Sequence, residues 1–256
     1  MKEQSQSQSL ALSRLALTLT FGLALLAADL LPCSPIGNTS AWPLWSGHCA
    51  MAQDQDPVVI DYHGYNIKGQ RGQAISNDVI EKVKAQIEIC DRAPVPERVH
   101  AFFKALPVTL VVSTTKPAPT SVYGGVSRQD PLGKITLQSG QLEGKPRPIL
   151  LHEYLHGVNA KLITDGVNSA EIEQFYNRAK QRLANIGQDG NEYFLKNKGE
   201  FFAVTASIYL FGDIPRPPYS MKNIAEAMPA YTQYLKKLFA VDLQDVMPRS
   251  VAGASF

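Results

Sequence analysis

With 256 residues, 45% of them hydrophobic, the chain can build one ordinary core behind a leader, and nothing argues for a second core. The 25 Lys and Arg nearly balance the 23 Asp and Glu for a net charge of +2, and no basic stripe occurs, which argues against nucleic acid as a partner. Three cysteines imply no disulfide framework, and no internal repeat is visible.

Residues 1–52 read as an export leader. A polar start carries Lys2 and Arg14, and an apolar run over 15–31 comes next, interrupted by Gly22 and Asp29 and short for a membrane span. Ala50-Met51-Ala52 has the small-x-small form of a cleavage site and is followed by polar residues from Gln53. Cleavage near Ala28 or after Ala41 stands as an alternative, and so does an uncleaved anchor. A lipidated Cys33 is disfavoured by the preceding Pro32. The expected product is a single domain over 53–256, periplasmic or secreted, with no membrane contact once the leader is removed. Cys33 and Cys49 would leave with the leader. Cys90 reads as a small buried apolar side chain.

Within that domain, 58–67 predicts a strand pair or extended arm bent at Gly64. Asn77 caps a predicted helix over 78–90 with Val79, Val83 and Ile87 inward. A short helix over 97–105 puts Phe102, Phe103 and Leu106 in the core. The β-branched run 108–113 predicts a buried strand. Two further strands, 121–128 and 134–138, are joined by a loop over 129–133. Gly124 and Gly125 in the first of these suggest a bulge or the close approach of another backbone. Such an edge strand pairs with an extended peptide in a protease; a plain hairpin with a glycine kink is the equal alternative.

The chain then enters His152-Glu153-Tyr154-Leu155-His156. Pro148 suits a first helical turn, and Leu151, Leu155, Val158 and Leu162 recur as an apolar stripe. A helix here places the two imidazoles four residues apart on one face, where they can bind one metal ion, with Glu153 in reach of a water on it. Two neutral imidazoles with a carboxylate and an open fourth position suit Zn2+. The plainer reading is two surface histidines beside a solvated glutamate. The rest is helical: 168–186 with Ile172, Phe175, Ala179 and Leu183 inward, 198–211 stopped at Gly212, and one last helix over 221–239. Strands first and helices second predict an α+β fold, a small N-terminal sheet followed by a helical lobe.

A catalytic zinc site needs a third protein ligand. His48, His63 and His100 precede the motif and read as ordinary polar or half-buried histidines. Most later carboxylates sit where exposure is expected. Glu200 opens the apolar run Phe201-Phe202-Ala203-Val204, where a carboxylate entering a buried helix needs a partner, and a cation is one. A capping box, with Asn197 as the cap and Glu200 reaching back to it, explains the same residue.

His152-Glu153-x-x-His156, followed by Tyr193-x-x-x-Asn197-x-x-Glu200-Phe201-Phe202-Ala203, resembles the catalytic domain of the anthrax lethal factor family. These are zincin-like gluzincin metallopeptidases similar to thermolysin in the zinc helix. The likeness covers mainly 121–212. It implies that His152, His156 and Glu200 bind Zn2+, that Glu153 activates the water and that Tyr193 stabilises the oxyanion. The strand from Tyr123 through Gly124, Gly125 and Val126 towards Arg128 would line the substrate cleft. The family often carries an acidic residue four positions after the glutamate ligand, to orient an imidazole. Here that position is Val204, which leaves Asn159, Thr205 or a backbone carbonyl for the task. The expected function is an exported zinc metalloendopeptidase acting on a peptide or protein. A zinc amidase of cell-wall peptides and a zinc-bearing scaffold without turnover are the rival readings.

Overall fold

A computed structural model describes residues 56–144, 147–183, 193–212 and 220–240, all within one compact unit, Ala50–Phe256. The expected leader with Cys33 and Cys49, the glycine-rich 187–190, the proline-rich 214–218 and the carboxylates Asp189, Glu192, Asp213, Asp242 and Asp245 lie outside the described residues. So does the predicted end of the helix at 184–186.

The fold is α+β. Strands β1 (Val59–Tyr62) and β2 (Tyr65–Gly69) form the expected pair, turning at His63 and Gly64 with φ of 52° and 79°. Helices α1 (Asn77–Asp91) and α2 (Glu97–Ala105) come next, then β3 (Val108–Val111), β4 (Val122–Tyr123) and β5 (Ile135–Gln138). The five strands run in the order β1-β2-β3-β5-β4. The inner pairs β2–β3 and β3–β5 are parallel, and the outer pairs β1–β2 and β4–β5 are antiparallel. The helical lobe holds α3 (Ile149–Lys161), α4 (Ala170–Leu183), a 3-10 turn (Tyr193–Leu195), α5 (Lys198–Phe211), α6 (Met221–Ala227) and α7 (Pro229–Phe239).

Several local expectations are corrected. Ser76, not Asn77, caps α1, its hydroxyl accepting from the Val79 N–H at 3.4 Å. Pro148 stands at the cap of α3, just ahead of the first turn. Strand β3 ends at Val111, and only Val108 and Leu110 are fully buried, so it shows one inner face rather than two. The strand expected over 121–128 shrinks to two residues, because Gly125 at φ 64° leaves the extended region and ends the ladder. The last helix is two. Pro229 takes the first position of α7 and forces Met228 to φ −140°, ψ 66°, outside helical geometry.

One core joins the sheet to the helical lobe. Helix α3 packs on α5 on one side and on α1 and α2 on the other. Gly157 permits the second approach, since a Cβ there would stand 3.1 Å from Phe102 and Leu106. Helix α5 is buried from Phe201 to Leu210 and forms the centre of the lobe. Its Thr205 and Ser207 hydroxyls donate to the carbonyls of Phe201 and Ala203, each at 2.6 Å, which satisfies them inside the core. Among the described residues no helix is long and apolar enough to cross a membrane.

Candidate metal centre

Helix α3 is buried on more than the expected stripe: Leu150, Leu151, Glu153, Tyr154, Leu155, Gly157, Val158 and Asn159 all lie inside. His152 and His156 stay at its accessible margin, their side chains 17% and 18% exposed. One helical turn separates them, and the first turn of α5 faces them. Their Nε2 atoms lie 3.2 Å apart. Glu200 Oε2 stands 3.4 Å from His152 Nε2 and 3.6 Å from His156 Nε2.

Asn197 caps α5 through its side-chain oxygen, which accepts from the Glu200 N–H at 2.9 Å. The cap and the approach to the histidines therefore coexist: the Glu200 backbone serves the cap while its carboxylate turns to the imidazoles. Burial pushes that carboxyl up, yet the two imidazoles outweigh burial and hold it well below the usual carboxylate range. The contacts are ion-pair distances, long for hydrogen bonds, and Glu200 Oε2 is buried without a hydrogen-bond partner among the described residues.

This donor set fits a metal ion. The two imidazole nitrogens lie within hydrogen-bond distance of each other, and the Glu200 carboxylate oxygen stands within reach of both. His152, His156 and Glu200 can each offer one ligand atom, with all three atoms within 4.8 Å of one another, the only such group among the described residues. Two nitrogens and one oxygen are a donor set that suits zinc.

Glu153 lies beside them, 4% exposed. Burial pushes its carboxyl up, against the opposing pull of the two imidazoles and of the Tyr123 backbone amide. The register explains that amide. Gly124 N–H donates to the Lys134 carbonyl at 2.7 Å, so the alternation of an antiparallel pair turns Tyr123's N–H and C=O to the free edge of the sheet, towards α3.

The Tyr123 side chain turns away from the site into the loop. It donates to the Leu132 carbonyl at 2.8 Å and lies over Gly133, where a Cβ would collide with its ring. Gly124 is committed to the ladder, Gly125 turns the chain, and Val126 is 50% exposed. Tyr193 stands on the 3-10 turn ahead of α5, 45% exposed, with Lys196 Nζ 5.8 Å over its ring. Thr205 does not orient an imidazole, because it bonds Phe201 and, at 2.6 Å, the Tyr231 hydroxyl. Asn159 is buried with no hydrogen-bond partner for Oδ1 among the described residues, and Val204 is 9% exposed. His63 pairs with Asp91 at 3.0 Å, and His100 sits edge-on to Phe103. Sequence reasoning misses the Tyr123 backbone amide near Glu153. It has no local pattern, since it meets Glu153 across a distant segment of the chain.

No family model matches the chain. A Pro-Pro endopeptidase from Paenibacillus alvei is 28% identical over 90 residues, 35% of this chain and 37% of that protein. The alignment thus spans little more than a third of that relative's length. The solved structure of the Pro-Pro endopeptidase from Paenibacillus alvei gives a TM-score of 0.42 at 17% identity, covering 65% of this chain and 93% of that one. The structural likeness is too slight to carry weight, and the geometry of the site itself carries the functional reading.

Proposed function

We propose that this chain is a zinc-dependent endopeptidase, with His152, His156 and Glu200 holding the metal and Glu153 as the general base. The convergence of two imidazole nitrogens and an orphaned carboxylate oxygen, beside a buried glutamate, is the observation that carries the reading. The Pro-Pro endopeptidase relative supports it and suggests proline-rich peptides as substrate. The motif likeness to lethal-factor-type gluzincins belongs to the same proposal, as does the export of a single domain over 53–256 behind the leader.

When bound, the metal supplies Lewis acidity, which acidifies water and polarises a scissile carbonyl. The protein's residues do the rest. An extended peptide lies along the free edge of β4, where the ladder leaves the Tyr123 carbonyl unused by β5 and Gly124, Gly125 and Val126 form the rim. The buried Glu153 carboxylate, held by the Tyr123 amide, takes a proton from the attacking water. As the new C–O bond forms and the C–N bond breaks, Glu153 passes that proton to the leaving amine. The Tyr193 hydroxyl donates to the oxygen that gains charge.

The test is metal content together with cleavage of a peptide library that includes Pro-Pro sequences, for the chain from Gln53 onwards. One zinc per chain with defined cut sites is expected. Zinc without cleavage of any peptide would sink the peptidase reading in favour of a scaffold. A folded chain that binds no zinc would sink the site.

A further inference from the structure

Tyr193 is presented by a turn of only three residues, Tyr193–Leu195, and so short a 3-10 segment has little stability of its own. Its ties include the burial of Phe194, the Lys196 N–H donating to the Tyr193 carbonyl at 3.1 Å, and one bond from another helix. That bond is long-range: the Tyr176 hydroxyl on α4 donates to the Leu195 carbonyl at 2.9 Å, across 19 residues of sequence. Tyr176 is itself fixed. Its ring packs on Phe201 of α5 with centroids 6.1 Å apart, and Lys180 Nζ sits 5.3 Å from the ring centroid. The hydroxyl therefore ties the C-terminal end of the turn that carries Tyr193 to α4, whose Tyr176 ring in turn packs on α5.

We propose that Tyr176 is a positioning residue for catalysis, its hydroxyl fixing the Tyr193–Leu195 turn so that the Tyr193 phenol is held in place before substrate arrives. This rests on the reading of Tyr193 as the oxyanion donor. The physical ground is that a donor to developing charge acts only when pre-placed to within a fraction of an ångström, and a misplacement of about 1 Å costs up to about a hundredfold in rate. Phenylalanine at 176 would fill the same space and remove only the bond to Leu195, so packing and positioning can be separated.

The experiment uses the zinc-loaded enzyme and its variants Tyr176→Phe, Tyr193→Phe and the double substitution. Tyr234→Phe, elsewhere in the helical lobe and packed on Phe175 and Tyr231, is the control. Tyr193→Phe is expected to lower kcat on the order of a hundredfold. Tyr176→Phe is expected to lower kcat roughly tenfold with KM and metal content unchanged. The double variant should match Tyr193→Phe alone, because a positioned group that is already gone cannot be lost again. Tyr234→Phe should keep the parental kcat. Parental kcat in Tyr176→Phe, or losses that multiply in the double variant, would overturn the positioning role while leaving Tyr193 as the donor. An equal loss in Tyr234→Phe would also overturn it, as general loosening of the lobe. Parental kcat in Tyr193→Phe would instead remove the oxyanion reading, and the inference with it.

Discussion

Helix α5 is two regions in one element. Its interior buries Thr205 and Ser207 with both hydroxyls bonded to carbonyls of the preceding turn, and Thr205 further ties the Tyr231 hydroxyl of α7. Its first turn, with the facing margin of α3, instead gathers Glu200, His152 and His156 and leaves Glu200 Oε2 buried with ion-pair contacts but no hydrogen bond among the described residues. A polar group removed from water costs free energy unless its bonds are made. The interior meets that requirement within the chain. At the site face Glu200 Oε2 lacks such a bond among the described residues, and it lies with the two imidazole nitrogens in a group of donors that a metal ion would satisfy. The neighbouring Glu153 obeys the same logic, as a desolvated carboxylate with one backbone donor.

The comparison breaks most sharply on Glu153→Gln. A neutral isostere keeps the packing but cannot accept the proton from water. Turnover should fall on the order of a thousandfold or more with metal content unchanged, read by initial rates and elemental analysis. Retained hydrolysis would move the base elsewhere.

Glu200→Gln comes next. The Asn197 cap uses the Glu200 backbone and survives, so helicity by circular dichroism should stay at the parental level. Metal affinity, by chelator competition, should fall at least about tenfold, because an ionised ligand is lost. Parental affinity would make Glu200 a helix-start residue and nothing more.

Thr205→Val probes the satisfied interior. It preserves shape but leaves the Tyr231 hydroxyl buried with its bond removed, at a cost of about 1–3 kcal/mol in denaturant unfolding. Metal affinity should not change. A loss of metal with little loss of stability would erase the distinction between the two regions.

Most of this site is legible in the sequence because a helix is a local object. The spacing of His152 and His156 fixes a shared face, and the apolar run after Glu200 marks a carboxylate entering the core. At Asn197–Glu200 only half of the capping box forms: Asn197 accepts from the Glu200 backbone, while the Glu200 side chain turns to the imidazoles and not back to the cap. The break before Pro229 is in principle legible, but the apolar pattern runs through it, and periodicity alone joins α6 to α7. The parallel arrangement of β2, β3 and β5, the turning of the Tyr123 amide towards Glu153 and the Tyr176–Leu195 bond are tertiary facts. Each joins segments whose local patterns say nothing of one another.

The smallest effect separates the two glutamates by sign. Glu200 has its carboxyl held low, so in the metal-free protein its ionised form stabilises the fold. That contribution is present above the ordinary glutamate value of about 4.3, and is lost as pH falls from there through the folded value. Glu153 has its carboxyl pushed up by burial, so its ionised form opposes folding. Its neutral form favours the fold below the ordinary range, and that advantage is lost as pH rises through the folded value. Metal-free Glu200→Gln should therefore be less stable than the parent at pH 6, and metal-free Glu153→Gln more stable. Both differences should shrink as the pH is lowered to about 3: Glu153 is then neutral in both states, and the unfolded chain's residue 200 takes up a proton while the folded one is still ionised. Thermal melts of the three proteins across that range, with chelator present, give the slopes directly. If both substitutions shift the melt in the same direction at pH 6, the buried acid in α3 and the paired one in α5 are not the opposites their surroundings make them.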